Sequence, residues 1–597
     1  MCVFFFGLGS YGLIDPDEGR YAEIAREMLE TGDFVTPRLN YVEYFEKPVL
    51  HYWLTAAFFA VLGQNEFAAR LTPVLCALGG AWLAFGLARR RWGLDAGFYA
   101  AVVLSTGLLW FAIARLNILD MTVSFFITLS LAGFWRGCED EKSRQDGKSR
   151  RYLLLFYGGM ALATLSKGLI GIVLPGGVAF WYIVLMRRWR LILRALYMPG
   201  IALFFLLTVP WFWAVCRVND DFFYFFFVQE HFLRYTTSIH DRYEPFWFFI
   251  PVLTAGLAPW TGLLPDMLRS IWAEAKSGNA AKGVSGGPEN PVGTNELRPP
   301  ELENEERSFG LFLGLWFAVP FVFFSLSSSK LVPYIVPCLP PLAILGGRVL
   351  ASIAEGDGPA AKRLACINGV FLSLAAAGGV VYPLSDKKLG TGLFFYTLPA
   401  SASLALFVFC GVFFYRRREC RKMVHALCLL ASINLLTFSR GFFLKAGLDS
   451  YKEPAAAIRE QIEPADVVVS YKSTAQGLGF YLKRRIVLMD VMGELEFGAR
   501  QEKDPRWFLD SQELKDLWLG KTRVFLVFWE AEKRYGEEIE QLLGKHNIIQ
   551  AARIRDAVVL SNASFSRTFS PWGERTNEFV CAQNSKELYF EWSRVFD

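Results

Sequence analysis

Apolar runs recur along this 597-residue sequence from its first residues to about residue 441. A helix needs about 20 such residues to cross a bilayer core. Thirteen candidate spans follow, at 1–14, 68–88, 95–113, 116–136, 152–166, 169–186, 197–215, 246–265, 309–326, 331–350, 366–384, 393–415 and 424–441. Backbone polar groups in lipid must be satisfied within the segment, so a chain of such runs is a helical polytopic membrane protein. Its 53% hydrophobic and 16% aromatic content agrees. The first run is short for a crossing. It lacks a basic region ahead of it and leads straight into Asp15-Pro16, so no cleavable signal is expected. Residues 48–63 are apolar too, but His51 and Gln64 interrupt the stretch, which reads as interfacial or re-entrant.

Charge distribution orients the spans. The net charge of +5 says little, but basic residues fall in alternate loops: Arg89-Arg90-Arg91, Arg136 to Arg151, Arg187-Arg188 with Arg190, Lys362-Arg363, and Arg416-Arg417-Arg418 with Arg421-Lys422. Such loops face the cytoplasm. The other side then carries residues 15–67, the 216–245 loop, Lys330 and everything after about 442. Residues 1–444 form the expected membrane domain. Within it, 275–308 is rich in Gly, Pro, Asn and Glu and reads as a disordered cytoplasmic linker. Residues 445–560 change character. Strands are expected at 466–470, 485–489, 523–529, 548–554 and 557–560, with helices at 474–482, 511–519 and 530–543, the pattern of a small α/β domain. The tail 561–597 has no clear periodicity.

Residues 15–53 concentrate charge beside apolar sequence. Asp15 as N-cap, Pro16 as first helical residue and Glu18 as the capping-box acid open an expected helix. Tyr21, Ile24, Ala25, Met28 and Leu29 line one face of it, and Gly32 stops it. Asp17 and Arg20 share a face. Glu46-Lys47-Pro48 closes the stretch. Asp120, Lys167, Glu230-His231, Arg234, Lys330 and Tyr334 fall at the same depth on the same side. Each base alone can snorkel to headgroups, but ionisable groups at a membrane boundary are functional candidates. Basic residues there suit phosphate, and a carboxylate beside them can position or deprotonate an acceptor. A lipid phosphate presenting an activated group fits an outward site where nucleotides are scarce. Glu46 and His231 are two candidate ligands for a divalent metal such as zinc.

Other strings carry less. Gly7-Leu-Gly9-Ser-Tyr-Gly12 matches a dinucleotide pattern but lies in an apolar run with no βαβ unit after it, so no nucleotide cofactor is expected and packing of small residues accounts for it. Ser166-Lys167-Gly168 lacks the earlier glycines of a P-loop. The ten cysteines form no CxxC pair. Asn562-Ala-Ser564 is a chance match to a glycosylation acceptor.

Asp15-Pro-Asp-Glu-Gly-Arg-Tyr-Ala-Glu with Tyr44-Phe-Glu-Lys-Pro48, then Leu119-Asp-Met, Ser166-Lys-Gly, Glu230-His231 and Lys330-Leu-Val-Pro-Tyr334, resembles the aminoarabinose transferases of glycosyltransferase family 83, GT-C relatives of the protein O-mannosyltransferases. The resemblance covers about 1–560. It implies a GT-C fold of about 13 transmembrane helices with a small C-terminal α/β domain in the periplasm, in the bacterial inner membrane. It also implies transfer of 4-amino-4-deoxy-L-arabinose from undecaprenyl phosphate to lipid A phosphate or a related glycolipid, without nucleic acid. On the matched positions, Asp17 is the catalytic-site acid and Asp120 a second one. Arg20, Lys47, Lys167, Lys330 and, in the 216–245 loop, Arg234 serve phosphate, Tyr44 and Tyr334 line the cavity, and Glu46 with His231 stand where members hold zinc. Two rivals stand beside this: a protein O-mannosyltransferase, whose first loop also opens with paired acids, and an anionic-lipid flippase. Glu46-Lys47-Pro48 leans away from the first, and the sequence lacks the internal repeats and mid-bilayer charges expected of the second.

Overall fold

The computed structural model describes residues 2–138, 148–233, 244–271, 300–385, 393–529, 535–548, 550–554 and 556–563. Among them, eight helices are long and apolar enough to cross a membrane. The longest, Glu66–Thr106, starts where the Asn65 side chain accepts from the Ala68 amide at 2.9 Å. It breaks at Gly93, φ 91°, ψ −179°, just after Arg89-Arg90-Arg91. Only a residue without Cβ takes that conformation cheaply, so one helix assignment holds two of the expected spans. Shorter apolar helices Leu50–Leu62 and Ile170–Met186 lie beside the eight. The first is the 48–63 segment, a 13-residue helix too short to cross.

The count of thirteen does not map one to one. Residues 1–14 carry only the four-residue helix Cys2–Phe5. Gly7 then turns the chain at φ 62°, and a Cβ on Gly9 would lie 2.8 Å from that of Phe67, so close backbone approach replaces helix there. The 246–265 run yields Phe249–Gly256 and a 3-10 turn Thr261–Leu263. Pro259 between them has no N–H to continue the ladder. Of the 275–308 linker, residues up to 299 lie outside the described residues, and the remainder opens the helix Pro300–Leu326. The tail is described only to residue 563.

The helix Asp17–Thr31 does not start with a capping box. Its N-cap is Pro16, without a side-chain cap. Glu18 instead forms a fully buried pair with Arg70 at 2.8 Å and accepts from the Asn117 amide at 2.8 Å. Arg70 also donates to the carbonyls of Leu8, Tyr11 and Gly12 at 2.8–3.0 Å. A buried charge is tolerated only when so fully partnered, and this one ties the N-terminal segment to two helices. Asp15 is drawn the other way, accepting from the Gly477 amide at 3.0 Å. The far end follows the sequence: Gly32 stops the helix in the left-handed region at φ 71°, and Tyr21, Ile24, Ala25 and Met28 are buried.

Beyond the last membrane helix, Cys420–Asp449, a mixed sheet forms. Its strands are β1 Val467–Tyr471, β2 Val487–Met489, β3 Phe508–Leu509, β4 Val524–Trp529, β5 Gln550–Ile554 and β6 Ala557–Ser561. Spatial order is β3-β2-β1-β4-β6-β5, with the first four parallel and the last two antiparallel. Strand alternation splits the sheet between two cores. Val468, Phe525, Val527 and Val559 join the core that runs through the membrane helices. Val469, Tyr471, Val524, Leu526, Phe528 and Leu560 pack with Leu514, Trp518 and Ile539 on the other face. The sheet is therefore packed against the membrane part rather than tethered beside it. Asn562 is structural: it accepts from the Val524 amide and donates to the carbonyls of Trp518 and Thr522, all at 2.9 Å.

Candidate active site

Two surfaces meet at one end of the helices. The Asp15 amide donates to the carbonyl of Asp449, the last residue of the final membrane helix, at 3.0 Å. The turn at Asn40 and Tyr41, both in the left-handed region, lets Asn40 donate to the Ile486 carbonyl at 2.8 Å and accept from its amide at 2.9 Å. The first external loop and the sheet domain thus hold each other, and the charged residues lie along their seam.

Arg20 is the centre of the seam. Its side chain is 7% exposed and pairs with Asp17 at 3.4 Å and with Glu494 at 2.8 Å. Its Nε donates to Gln476 Oε1 at 3.0 Å. Asp17, by contrast, is 59% exposed, so its carboxylate faces out from the seam. Tyr44 donates to Glu494 at 3.4 Å. Lys47 lies 3.6 Å from Glu46 and 3.7 Å from Glu230, which the 216–245 loop brings in. Burial, followed by the nearby Glu46 carboxylate, pushes the Glu494 carboxyl above its ordinary range. The arrangement is a set of cations held by acids that phosphate oxygens can replace.

A second group adjoins it. Lys167, at the end of the helix Ser149–Lys167, bonds Asp120 at the start of Leu119–Cys138, and its ammonium lies 4.6 Å from the centre of the Tyr334 ring. Tyr21, whose ring centre lies 5.6 Å from the Arg20 guanidinium, links the groups. Its ring meets that of His51 edge-on at 5.8 Å, and His51 Nδ1 is 3.0 Å from Thr122 Oγ1, two residues after Asp120 on the helix Leu119–Cys138.

The remaining expected residues fall differently. Lys330 donates to the carbonyls of Glu244 and Ser327 at 2.8 and 2.6 Å, on the loop leading to Tyr334. Burial holds its ammonium below the usual lysine range. The described contacts of Lys330 are thus with backbone carbonyls. Arg234 and the side chain of His231 lie outside the described residues. Among the described residues, no group of three His, Cys, Asp or Glu is arranged to hold a metal. Sequence reasoning missed Glu494 and Gln476, since an acid or an amide in a soluble α/β stretch carries no signal. It also passed over Arg70, whose place in an apolar run was a visible one.

Apolar helices long enough to cross a membrane, closed at one end by a seam of paired cations and acids, define a polytopic membrane protein with a charged boundary site. A family model for dolichyl-phosphate-mannose-protein mannosyltransferases matches residues 3–223, and one for the aminoarabinose transferase C-terminal domain matches 454–550. The chain is 35% identical over 551 residues to the undecaprenyl phosphate-alpha-4-amino-4-deoxy-L-arabinose arabinosyl transferase of Pseudomonas aeruginosa strain LESB58, covering 88% of this chain and 91% of that one. The enzyme of that name from Erwinia tasmaniensis is 31% identical, with 86% and 88% covered. The crystal structure of ArnT from Cupriavidus metallidurans bound to undecaprenyl phosphate superposes with a TM-score of 0.77 at 27% identity, covering 94% of this chain and 96% of that one. This chain belongs to the family of undecaprenyl phosphate-alpha-4-amino-4-deoxy-L-arabinose arabinosyl transferases.

Proposed function

We propose that this chain transfers 4-amino-4-deoxy-L-arabinose from undecaprenyl phosphate to a phosphate of lipid A, at the periplasmic face of the bacterial inner membrane. The observation that carries the reading is the seam itself. Arg20 and Lys47 stand at the membrane boundary, each held by carboxylates from other segments, with Asp17 exposed beside them. The relatives named for this reaction, and the relative solved with undecaprenyl phosphate, support the donor. The basic loops on the far side support a periplasmic site.

In this reading the bond from sugar C1 to the donor phosphate breaks while a bond from C1 to an acceptor phosphate oxygen forms. Negative charge gathers on the departing undecaprenyl phosphate, and Arg20, Lys47 and Lys167 stabilise it there. A phosphate acceptor is already anionic near neutral pH and needs little proton removal. The work of Asp17 is to orient the acceptor and sugar against Arg20. Asp120 orients Lys167. Lys330 and Arg234 serve phosphate at the rim, and Tyr44 and Tyr334 form walls. A divalent cation such as zinc at Glu46 and His231 belongs to the same proposal. Glu46 and Glu230 converge on Lys47 Nζ, so a metal there would have to displace that ammonium. Metal analysis of the purified protein against Glu46→Gln tests it.

Mass spectrometry of lipid A and total glycolipids from cells with and without the gene tests the reaction. A pentosamine mass increment on lipid A that disappears with the gene is the expected result. An increment on protein instead would move the chain to the mannosyltransferase-like reading, and none on either would remove transferase activity on these acceptors.

A further inference from the structure

At the opposite end of the membrane helices a cavity of about 770 Å³ opens between two turns. One turn joins the helices Leu339–Glu355 and Gly358–Ser385, and the other joins Phe394–Arg416 and Cys420–Asp449. Cys420–Asp449 has 30 residues, about 45 Å of helix at 1.5 Å per residue. Asp449 bonds Asp15 at the candidate site, so the turn before Cys420 lies on the other face of the membrane.

The lining is unbalanced in charge. Arg416, Arg418, Arg421 and Lys422 face Glu355 and Glu419. Lys422 already pairs with Glu419 at 3.3 Å. Three guanidinium groups are left against Glu355, and among the described residues none of them has a carboxylate within ion-pair distance. The turn builds this crowding. Arg418 takes the left-handed region at φ 60° while its amide donates to Tyr415 and that of Glu419 to Phe414, which folds Arg416 and Arg421 toward one opening. Arg416, Arg418 and Arg421 are exposed and hydrated, so the cost of leaving them unpaired is small. Their shared sign still concentrates anions at the opening, and guanidinium suits phosphate oxygens two at a time.

The surroundings say how that phosphate arrives. Phe409, two turns before Arg416 on the same helix, is 61% exposed, and Leu429, two turns after Lys422, is 64% exposed. These outward faces meet acyl chains in a membrane. A group seated in the cavity thus has a hydrocarbon surface directly beneath it. We infer that the cavity lined by Arg416, Arg418 and Arg421 binds the phosphate headgroup of an anionic diacyl phospholipid in the leaflet opposite the candidate active site. Neutral headgroups gain little there, because the zwitterion's own cation meets the arginines. The site is distinct from the donor site and does not depend on which sugar is transferred.

The test uses the full chain in lipid nanodiscs and in detergent, with phosphatidylglycerol and phosphatidylcholine as probes read by native mass spectrometry. Wild-type protein is expected to retain phosphatidylglycerol where phosphatidylcholine is lost. Replacing all three arginines, as R416Q/R418Q/R421Q, weakens retention by about tenfold or more, since each cation near a membrane surface contributes about fivefold before screening. The matched variant R187Q/R190Q/R194Q, basic and on the same face but outside the cavity, retains the lipid. Glu355→Gln removes the opposing carboxylate and tightens retention, a change in the other direction that a misfolded variant cannot imitate. Equal retention of the two lipids by the wild type, or unchanged retention in both the triple variant and Glu355→Gln, overturns the proposal. Displacement of phosphatidylglycerol by equimolar inorganic phosphate also overturns it, since the cavity would then be a soluble-anion site.

Discussion

The Arg20 guanidinium, on the first external loop, is held at 2.8 Å by Glu494, more than four hundred residues later in the sheet domain. With Gln476 on its Nε, two of the three side chains that pair or hydrogen-bond with the Arg20 guanidinium come from that domain. The sheet domain therefore shapes the candidate site directly. Glu494→Gln keeps the shape but removes the charge, so Arg20 loses its closest carboxylate. Sugar transfer is expected to fall roughly tenfold to a hundredfold, the range of one charged hydrogen bond. A double-mutant cycle with Arg20→Lys should show strong coupling, because lysine lacks the planar fork. Additive losses would separate the two residues.

Asp17 and Lys47 divide the labour differently. Asp17→Asn should abolish turnover while the protein stays in the membrane and still binds undecaprenyl phosphate. Lys47→Ala should weaken lipid-phosphate binding about tenfold or more, with less effect on the chemistry at saturation. Binding of a labelled lipid phosphate and single-turnover transfer, measured on both variants, separate the roles. If both variants lost binding alone, Asp17 would leave the reacting centre.

How far this was readable from the sequence depends on the kind of residue. Arg20, Lys47, Asp120 and Lys167 stand out because charge beside apolar runs is conspicuous, and the structure gathers them in two adjoining groups. Helices and strands of 467–561 follow the expected periodicity closely, with Ser511–Leu519 at the expected bounds. The two-residue strand Phe508–Leu509 was too short to carry a pattern. The capping box was misread because local spacing cannot know that Arg70 claims Glu18 and Gly477 claims Asp15. Each of those contacts joins segments far apart in the chain, where periodicity has nothing to say.

Asp15 gives a prediction in pH. Its Oδ1 is buried without a hydrogen-bond partner while Oδ2 accepts from Gly477. Burial raises its carboxyl to about 7, only partly offset by the Gly477 amide and Arg20. A folded-state value above the unfolded 3.8 means the folded protein holds this proton more tightly. Its contribution to stability is complete below about 3.8 and is lost as pH rises through about 7. Seating of the sheet domain should loosen as pH rises from about 4 to about 7, seen as faster amide exchange around Gly477 beyond the intrinsic pH effect. Asp15→Asn, neutral throughout, should lack that excess. An identical profile in the variant would assign the pH dependence elsewhere.

Gly19 and Gly477 meet back to back at the same seam. A Cβ on Gly19 would lie 2.6 Å from the Gly477 nitrogen and 2.8 Å from its Cα, and would also strike the Asp15 carboxylate. Neither backbone atom can yield without moving the sheet domain. In an open helix position Gly→Ala stabilises by about 0.5–1 kcal/mol, so the sign of the effect is informative. Gly19→Ala should instead destabilise by about 1–3 kcal/mol through overpacking, and should expose the 450–480 region to proteolysis. Gly369, in the helix Gly358–Ser385 with open space around its Cβ position, is the control: Gly369→Ala should raise the unfolding temperature slightly. Because the seam also carries Arg20 and Glu494, Gly19→Ala should lower sugar transfer well before it unfolds the membrane helices. Stabilisation by both substitutions would mean that the two glycines do not form the contact on which the domain seats.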